Sequence, residues 1–219
     1  MFLGQAAVGV AGTVAVAAPQ VTGSPTRRRG KGRVLLIIGD AAEAMDTLYP
    51  FFRVPEDGFE LIVAGPDKRR YSLVAHEQPP GWDITEESPS YHLESDIAFR
   101  DIKPDEYVGM FISGGRAPEY IRYDEDLLRV VKHFFDKKKP VGVVCHGAEI
   151  VAKADVIRGT RMATVPKCRF DIELCGATFV DEPVVQAGPM TSCRTWHDYS
   201  EFFPVFMDSL LDYVERTTG

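Results

Sequence analysis

The stretch Val141-Gly142-Val143-Val144-Cys145-His146-Gly147-Ala148 decides the fold. Its first four residues are a short, wholly apolar run, the composition of a strand buried on both faces of a parallel sheet. The run stops on Cys-His-Gly, and residues 148–154 read as a helix. A strand, a tight turn and a helix form the arrangement that holds a nucleophile exposed at the end of a sheet.

The same alternation recurs on either side. Val34-Leu35-Leu36-Ile37-Ile38 is a second buried run, ending on Gly39-Asp40. A helical segment from Ala42 to about Val54 follows, and residues 59–64 supply another strand. Residues 108–113 form a strand that ends on Gly114-Gly115. Leu127, Val131, Phe134 and Phe135 fall on one helical face, and that helix closes on Lys137-Lys138-Lys139, cations where the helix dipole favours them. A further strand is expected near Thr191-Ser192. Residues 70–100 show less regularity, with a turn at Pro79-Pro80-Gly81. Strands alternating with helices predict an α/β fold, a doubly wound sandwich that binds ligands beyond the carboxyl ends of a mostly parallel sheet.

A chain of 219 residues with 45% hydrophobic and 26% charged residues can bury a large core, which excludes a disulfide-stapled miniprotein, a disordered tail and a collagen-like fibre. The net charge of −7 is uneven: residues 1–33 hold five basic groups and no acid, leaving −12 on residues 34–219. So acidic a body argues against binding a nucleic-acid polymer. Residues 1–33 are expected to be a disordered or targeting extension ahead of one domain at 34–219. The apolar stretch 6–19 is shorter than the roughly 20 residues a membrane helix needs, and its arginine cluster follows it rather than precedes it as in a secretory signal. No membrane partner is therefore expected. Cys145, Cys168, Cys175 and Cys193 form no CxxC pair and show no metal-ligand spacing, so a reduced, cytoplasmic setting without a zinc site is expected. No phosphate-binding pattern follows Gly114-Gly115, so no cofactor is expected either.

The chemistry gathers at the strand ends. Beside a helix N-terminus, Cys145 is expected to have a lowered pKa and a reactive thiolate. The plainer reading is a buried packing thiol, because free cysteine is among the most buried residue types. Gly115 and Gly147 let a substrate approach the backbone, and the amides of Gly115 and His146 are placed to form an oxyanion hole.

Four segments, in order, resemble the ThiJ/PfpI family: Gly39-Asp40-Ala41-Ala42-Glu43 with Leu48-Tyr49-Pro50, Gly114-Gly115-Arg116-Ala117-Pro118-Glu119, Val144-Cys145-His146-Gly147, and Val156-Ile157-Arg158-Gly159. The resemblance runs from residue 34 to about 215. It implies a flavodoxin-like three-layer sandwich with a cysteine nucleophile elbow, related to class I glutamine amidotransferase domains. It also implies that Cys145 is the nucleophile, Glu43 the carboxyl group beside its sulfur and His146 its neighbouring histidine. In the PfpI-like branch the histidine's partner is a Glu from another subunit, here Glu119, which implies a homo-oligomer: a dimer, trimer or hexamer. A protonated Glu43 beside a thiolate is physically sensible, since two adjacent anions cannot both be comfortable. The plainer readings make Glu43 a first-turn helix acid, His146 a helix-start residue and Glu119 a surface charge.

The other cysteines, 168, 175 and 193, are expected to be packing or incidental thiols, and His197-Asp198 to start a helix. Arg116 is expected to brace the Gly-rich loop. Residues 79–83 with Tyr91-His92 resemble the longer loop of glyoxalase-like members, which shapes the pocket. The expected activity is cofactor-independent: conversion of a small 2-oxoaldehyde to a 2-hydroxy acid, or deglycation of its early adducts on proteins or nucleotides. The alternatives are an intracellular cysteine peptidase using Cys145, His146 and Glu119, and a redox-sensing chaperone in which Glu43 stabilises oxidised Cys145. An amidotransferase is disfavoured because no downstream His-x-Glu occurs in residues 190–215.

Overall fold

A computed structural model describes residues 30–218; residues 1–29 of the expected extension lie outside the described residues. β1 (Arg33–Ile37) leads into the two-residue β2 (Ala42–Glu43) and α1 (Ala44–Glu56), followed by β3 (Glu60–Gly65), β4 (Arg70–Glu77), β5 (Glu86–Glu94) and β6 (Ile97–Ala98). Next come β7 (Gly109–Ile112), α2 (Ala117–Ile121), α3 (Glu125–Asp136), β8 (Val141–Val144) and α4 (Ala148–Lys153). β9 (Arg161–Met162), α5 (Arg169–Leu174), β10 (Thr178–Phe179), β11 (Val185–Ala187), β12 (Met190–Cys193) and α6 (Tyr199–Thr218) complete the chain.

The central sheet has the order β11-β12-β8-β7-β1-β3-β6, and every pair is parallel except β11 on β12. From β1 the chain moves to β3 on one side and later returns to β7 on the other. This reversal opens a crevice at the carboxyl ends of β1 and β7, where ligands bind in such sheets. The apolar runs predicted as strands are buried on both faces. α6 lays Phe202, Phe203 and Phe206 around Phe111 of β7, with ring centroids 5.7–5.9 Å apart. Each such ring removes apolar area worth about 1.5–3 kcal/mol from water. α1 lies beside α6 through Tyr49, which packs on Tyr199 and Phe203. Met110 and Ile112, which alternate with Phe111 along β7, are buried on the opposite face, where α3 and α4 pack together. The result is the expected three-layer α/β sandwich. Among the described residues, no helix is long and apolar enough to cross a membrane.

Two expectations need correction. Arg33, assigned to the extension, is the first residue of β1 and pairs with Glu106 at 2.8 Å. Residues 70–100 contain a hairpin, β4 paired antiparallel with β5, and β2 adds to it through Ala42–Leu73 and Glu43–Val74. Tyr71 and Leu73 are buried while Arg70 and Ser72 are exposed, the period of a strand with one face covered. β5 is mostly exposed and carries Pro89, as only an edge strand tolerates. That pairing of Ala42 and Glu43 also explains why α1 starts at Ala44 rather than Ala42.

Candidate active site

Cys145 follows β8 directly and has φ +54°, a left-handed conformation that costs a non-glycine residue about 1–3 kcal/mol. It opens a 3-10 turn, Cys145–Gly147, that runs into α4. Thr164 Oγ1 donates to the Cys145 carbonyl at 2.7 Å and helps hold the turn. The sulfur faces the loop after β7 and the start of α1. A Cβ on Gly114 would lie 2.5 Å from both Asp46 Oδ2 and Cys145 Cβ, so only glycine allows the two residues to meet there. Gly115, at φ +80°, lets its backbone press against the Glu43 amide nitrogen.

Cys145 Sγ lies 3.2 Å from His146 Nδ1. The backbones of Gly115 and His146, whose amides are expected to form an oxyanion hole, lie near enough to the sulfur to favour its thiolate. A second carboxyl group, that of Asp46, bears on the Cys145 thiol as a nearby negative charge when ionised, in addition to the Glu43 that sequence reading placed there. Glu43 caps α1, its Oε2 accepting from the Asp46 amide at 2.6 Å, and lines the same pocket. The signal was present: acids three residues apart at a helix start share a face. Asp46 is fully buried; its Oδ1 accepts from the Tyr199 hydroxyl at 3.0 Å, and its Oδ2 has no partner of standard geometry.

Burial pushes the Cys145 thiol well above its ordinary pKa, and the neighbouring Asp46 carboxyl adds to the effect. The two amides pull the other way without overcoming it. The expected low-pKa thiolate is therefore corrected: desolvation outweighs the start of a six-residue helix. Burial likewise raises Asp46 well above the usual carboxylate range, helped by the charge of Glu43, and raises Glu43 itself. Burial, followed by the Lys167 ammonium, lowers His146. Burial thus favours the neutral forms of Cys145, His146 and Asp46 in the resting site.

These groups open into a cavity of about 340 Å³. The β4–β5 hairpin supplies His76, with Gln78 and Thr85 in its connection, and Lys167 Nζ donates to Thr85 Oγ1 at 3.4 Å. His197 stacks on Trp196 at 3.7 Å between ring centroids and also lines the cavity, so it does more than start a helix. Glu119 lies on α2 with its carboxylate held by Arg116 at 3.1 and 3.3 Å, and it bears on His146 of its own chain as a nearby negative charge. Arg116 braces the Gly-rich loop through its backbone, whose N–H donates to Ala41 at 2.8 Å. Cys168 and Cys193 are buried and Cys175 half-buried, all with free thiols. Sequence reading missed Asp46, Tyr199, His76 and Lys167.

A model of the DJ-1/PfpI family matches residues 32–209. A deglycase of Pyrococcus abyssi is 33% identical over 178 residues, covering 81% of this chain and 99% of that protein. A deglycase of Thermococcus kodakarensis is 32% identical over 162 residues, covering 74% and 89%. Among solved structures, a ThiJ/PfpI domain protein from Brachyspira murdochii matches with a TM-score of 0.70 at 14% identity, covering 84% of this chain and 98% of that one, a likeness of fold.

Proposed function

The chain belongs to the DJ-1/PfpI family, and from that premise we propose that it is a cofactor-independent cysteine enzyme of reactive carbonyls, a deglycase with glyoxalase-type chemistry. The observation that carries this reading is the Cys145–His146 contact at 3.2 Å inside a pocket lined by the acids Glu43 and Asp46. A nucleophile, a base and a proton-loaded carboxyl are the groups that a 2-oxoaldehyde requires.

At rest the thiol donates to His146 Nδ1, with the buried Asp46 carboxyl nearby. As Sγ bonds to the aldehyde carbon, the imidazole takes the thiol proton, and the carbonyl oxygen moves into the amides of Gly115 and His146. That oxygen then takes the proton from the His146 imidazolium to give a hemithioacetal and restore the neutral imidazole. Glu43, as carboxylate, removes the proton from the former aldehyde carbon and delivers it to the adjacent carbon through an enediol, leaving a thioester. Water attacks the thioester, the sulfur leaves and regains its proton, and a 2-hydroxy acid departs. The sum is 2-oxoaldehyde plus water. An early adduct enters the same sequence once its amine or thiol has left with a proton.

A cysteine peptidase using Cys145, His146 and a neighbouring subunit's Glu119 is the second reading, supported by the same sulfur–imidazole contact. The cavity's volume of about 340 Å³ favours the smaller substrate. A reduced cytoplasm suits a free catalytic thiol. The test is decay of the hemithioacetal formed by methylglyoxal and N-acetylcysteine, with lactate measured as product. Wild type should accelerate it and Cys145→Ala should leave it at the spontaneous rate; equal rates would overturn the proposal.

A further inference from the structure

We propose a cation site adjoining the pocket, in which His146, Glu149 and Cys168 bind a zinc-class divalent metal. One donor atom from each of these residues lies within 4.8 Å of the others. His146 and Glu149 stand three residues apart on the continuous turn into α4, hence on one face. Cys168 comes from the separate turn before α5, and its Sγ is 3.8 Å from Glu149 Oε1. Glu149 Oε2 is occupied by Arg122 at 3.0 Å, which fixes the carboxylate and leaves Oε1 turned to the thiol. Such outer partners commonly orient metal ligands.

The donor chemistry selects the ion. Thiolate, imidazole and carboxylate form a borderline-soft set that suits zinc, with three protein ligands and a fourth position for water. Bond lengths of about 2.3 Å to sulfur and about 2.0–2.2 Å to nitrogen and oxygen require a separation at the 4.8 Å limit to close by about 1 Å as the metal binds. Cys168 as thiolate and Glu149 as carboxylate neutralise the dication, while Arg122 is shared with Asp171 at 3.6 Å. Binding displaces one proton, from the Cys168 thiol to solvent. Cysteine spacing hid this cluster because two of its three donors are not cysteines.

A metal on His146 has a consequence for Cys145. A neutral imidazole has one lone pair; once the metal takes it, the other nitrogen carries a proton and cannot accept one from the thiol. Zinc is therefore an inhibitor. This consequence rests on the reading of His146 as base, whereas the binding itself does not.

The experiment titrates the full, reduced chain with Cd²⁺, read by its thiolate-to-metal absorption, and separately with Zn²⁺, read by activity. A one-to-one absorption band is expected in wild type and in Cys145→Ala, and its loss in Cys168→Ala. Zinc inhibition of Cys168→Ala should need at least about tenfold more metal, with basal turnover kept. Glu149→Gln should weaken the Cd²⁺ band's affinity by a similar factor, which decides the matter should Cys168→Ala fail to fold. No band in wild type, or a band unchanged in both variants, overturns the site. If the chain turns over no carbonyl, the Cd²⁺ result still decides whether the metal binds.

Discussion

At Asp46 the fold keeps a carboxyl group out of water and beside a thiol, with Glu43 a turn away. Its raised pKa means that the native state holds a proton which the unfolded chain releases above about pH 4. Stability from this group is full below the unfolded pKa and declines as pH rises toward the folded one. Asp46→Asn, which keeps the neutral form, should therefore raise the melting temperature at pH 7 and lose that advantage near pH 3, while abolishing most turnover. Calorimetry across that range checks the sign; an advantage independent of pH contradicts it. On the proposed mechanism, in which His146 is the base, the acid limb of kcat/KM should lie below the ordinary histidine value because burial and Lys167 depress it. Lys167→Ala removes one of those causes and should move the limb to higher pH. His146→Ala should lower kcat by about 10²–10⁴-fold. The strand-turn-helix setting of Cys145 was legible, and so was the acid Glu43 at the start of the first helix. Asp46 was not, because its burial depends on Gly114 lacking a side chain and on Tyr199, 153 residues away.

The elements that place these residues were legible where burial is two-sided. β1, β7 and β8 are apolar at nearly every position, so their runs stand out. The β4–β5 hairpin did not, since β5 is exposed along most of its length and its polar residues hide the period. Yet this hairpin closes the pocket. His76→Ala should raise KM by several-fold more than it changes kcat, if the hairpin binds substrate without touching the reacting atoms; steady-state kinetics with a 2-oxoaldehyde measure the split. α6 is the opposite case, a helix whose phenylalanines hold the sheet. Phe206→Ala should cost about 3–5 kcal/mol, read by denaturant unfolding. Each kcal/mol corresponds to about 2–4 °C in a domain of this size.

For the whole molecule, Lys31 and Arg33 of the basic cluster belong to the described residues, and the body that carries the site stays acidic, with 22 basic against 32 acidic groups over residues 30–219. How copies of the chain assemble was not legible beyond the resemblance, because within one copy the Glu119 carboxylate is held at the surface by Arg116 of its own chain. Should sites be shared across a two-fold dimer, mixing inactive Cys145→Ala with inactive Glu119→Ala should restore about a quarter of wild-type turnover, since half of the sites in a mixed dimer are intact. No recovery after exchange would contradict sharing and leave Glu119 acting within its own chain. The central claim, that this chain processes reactive carbonyls through Cys145 with no cofactor, is tested most directly by lactate formation from methylglyoxal without glutathione and with a chelator present. Lactate from wild type and none above background from Cys145→Ala is the predicted result; equal lactate from the two would contradict it.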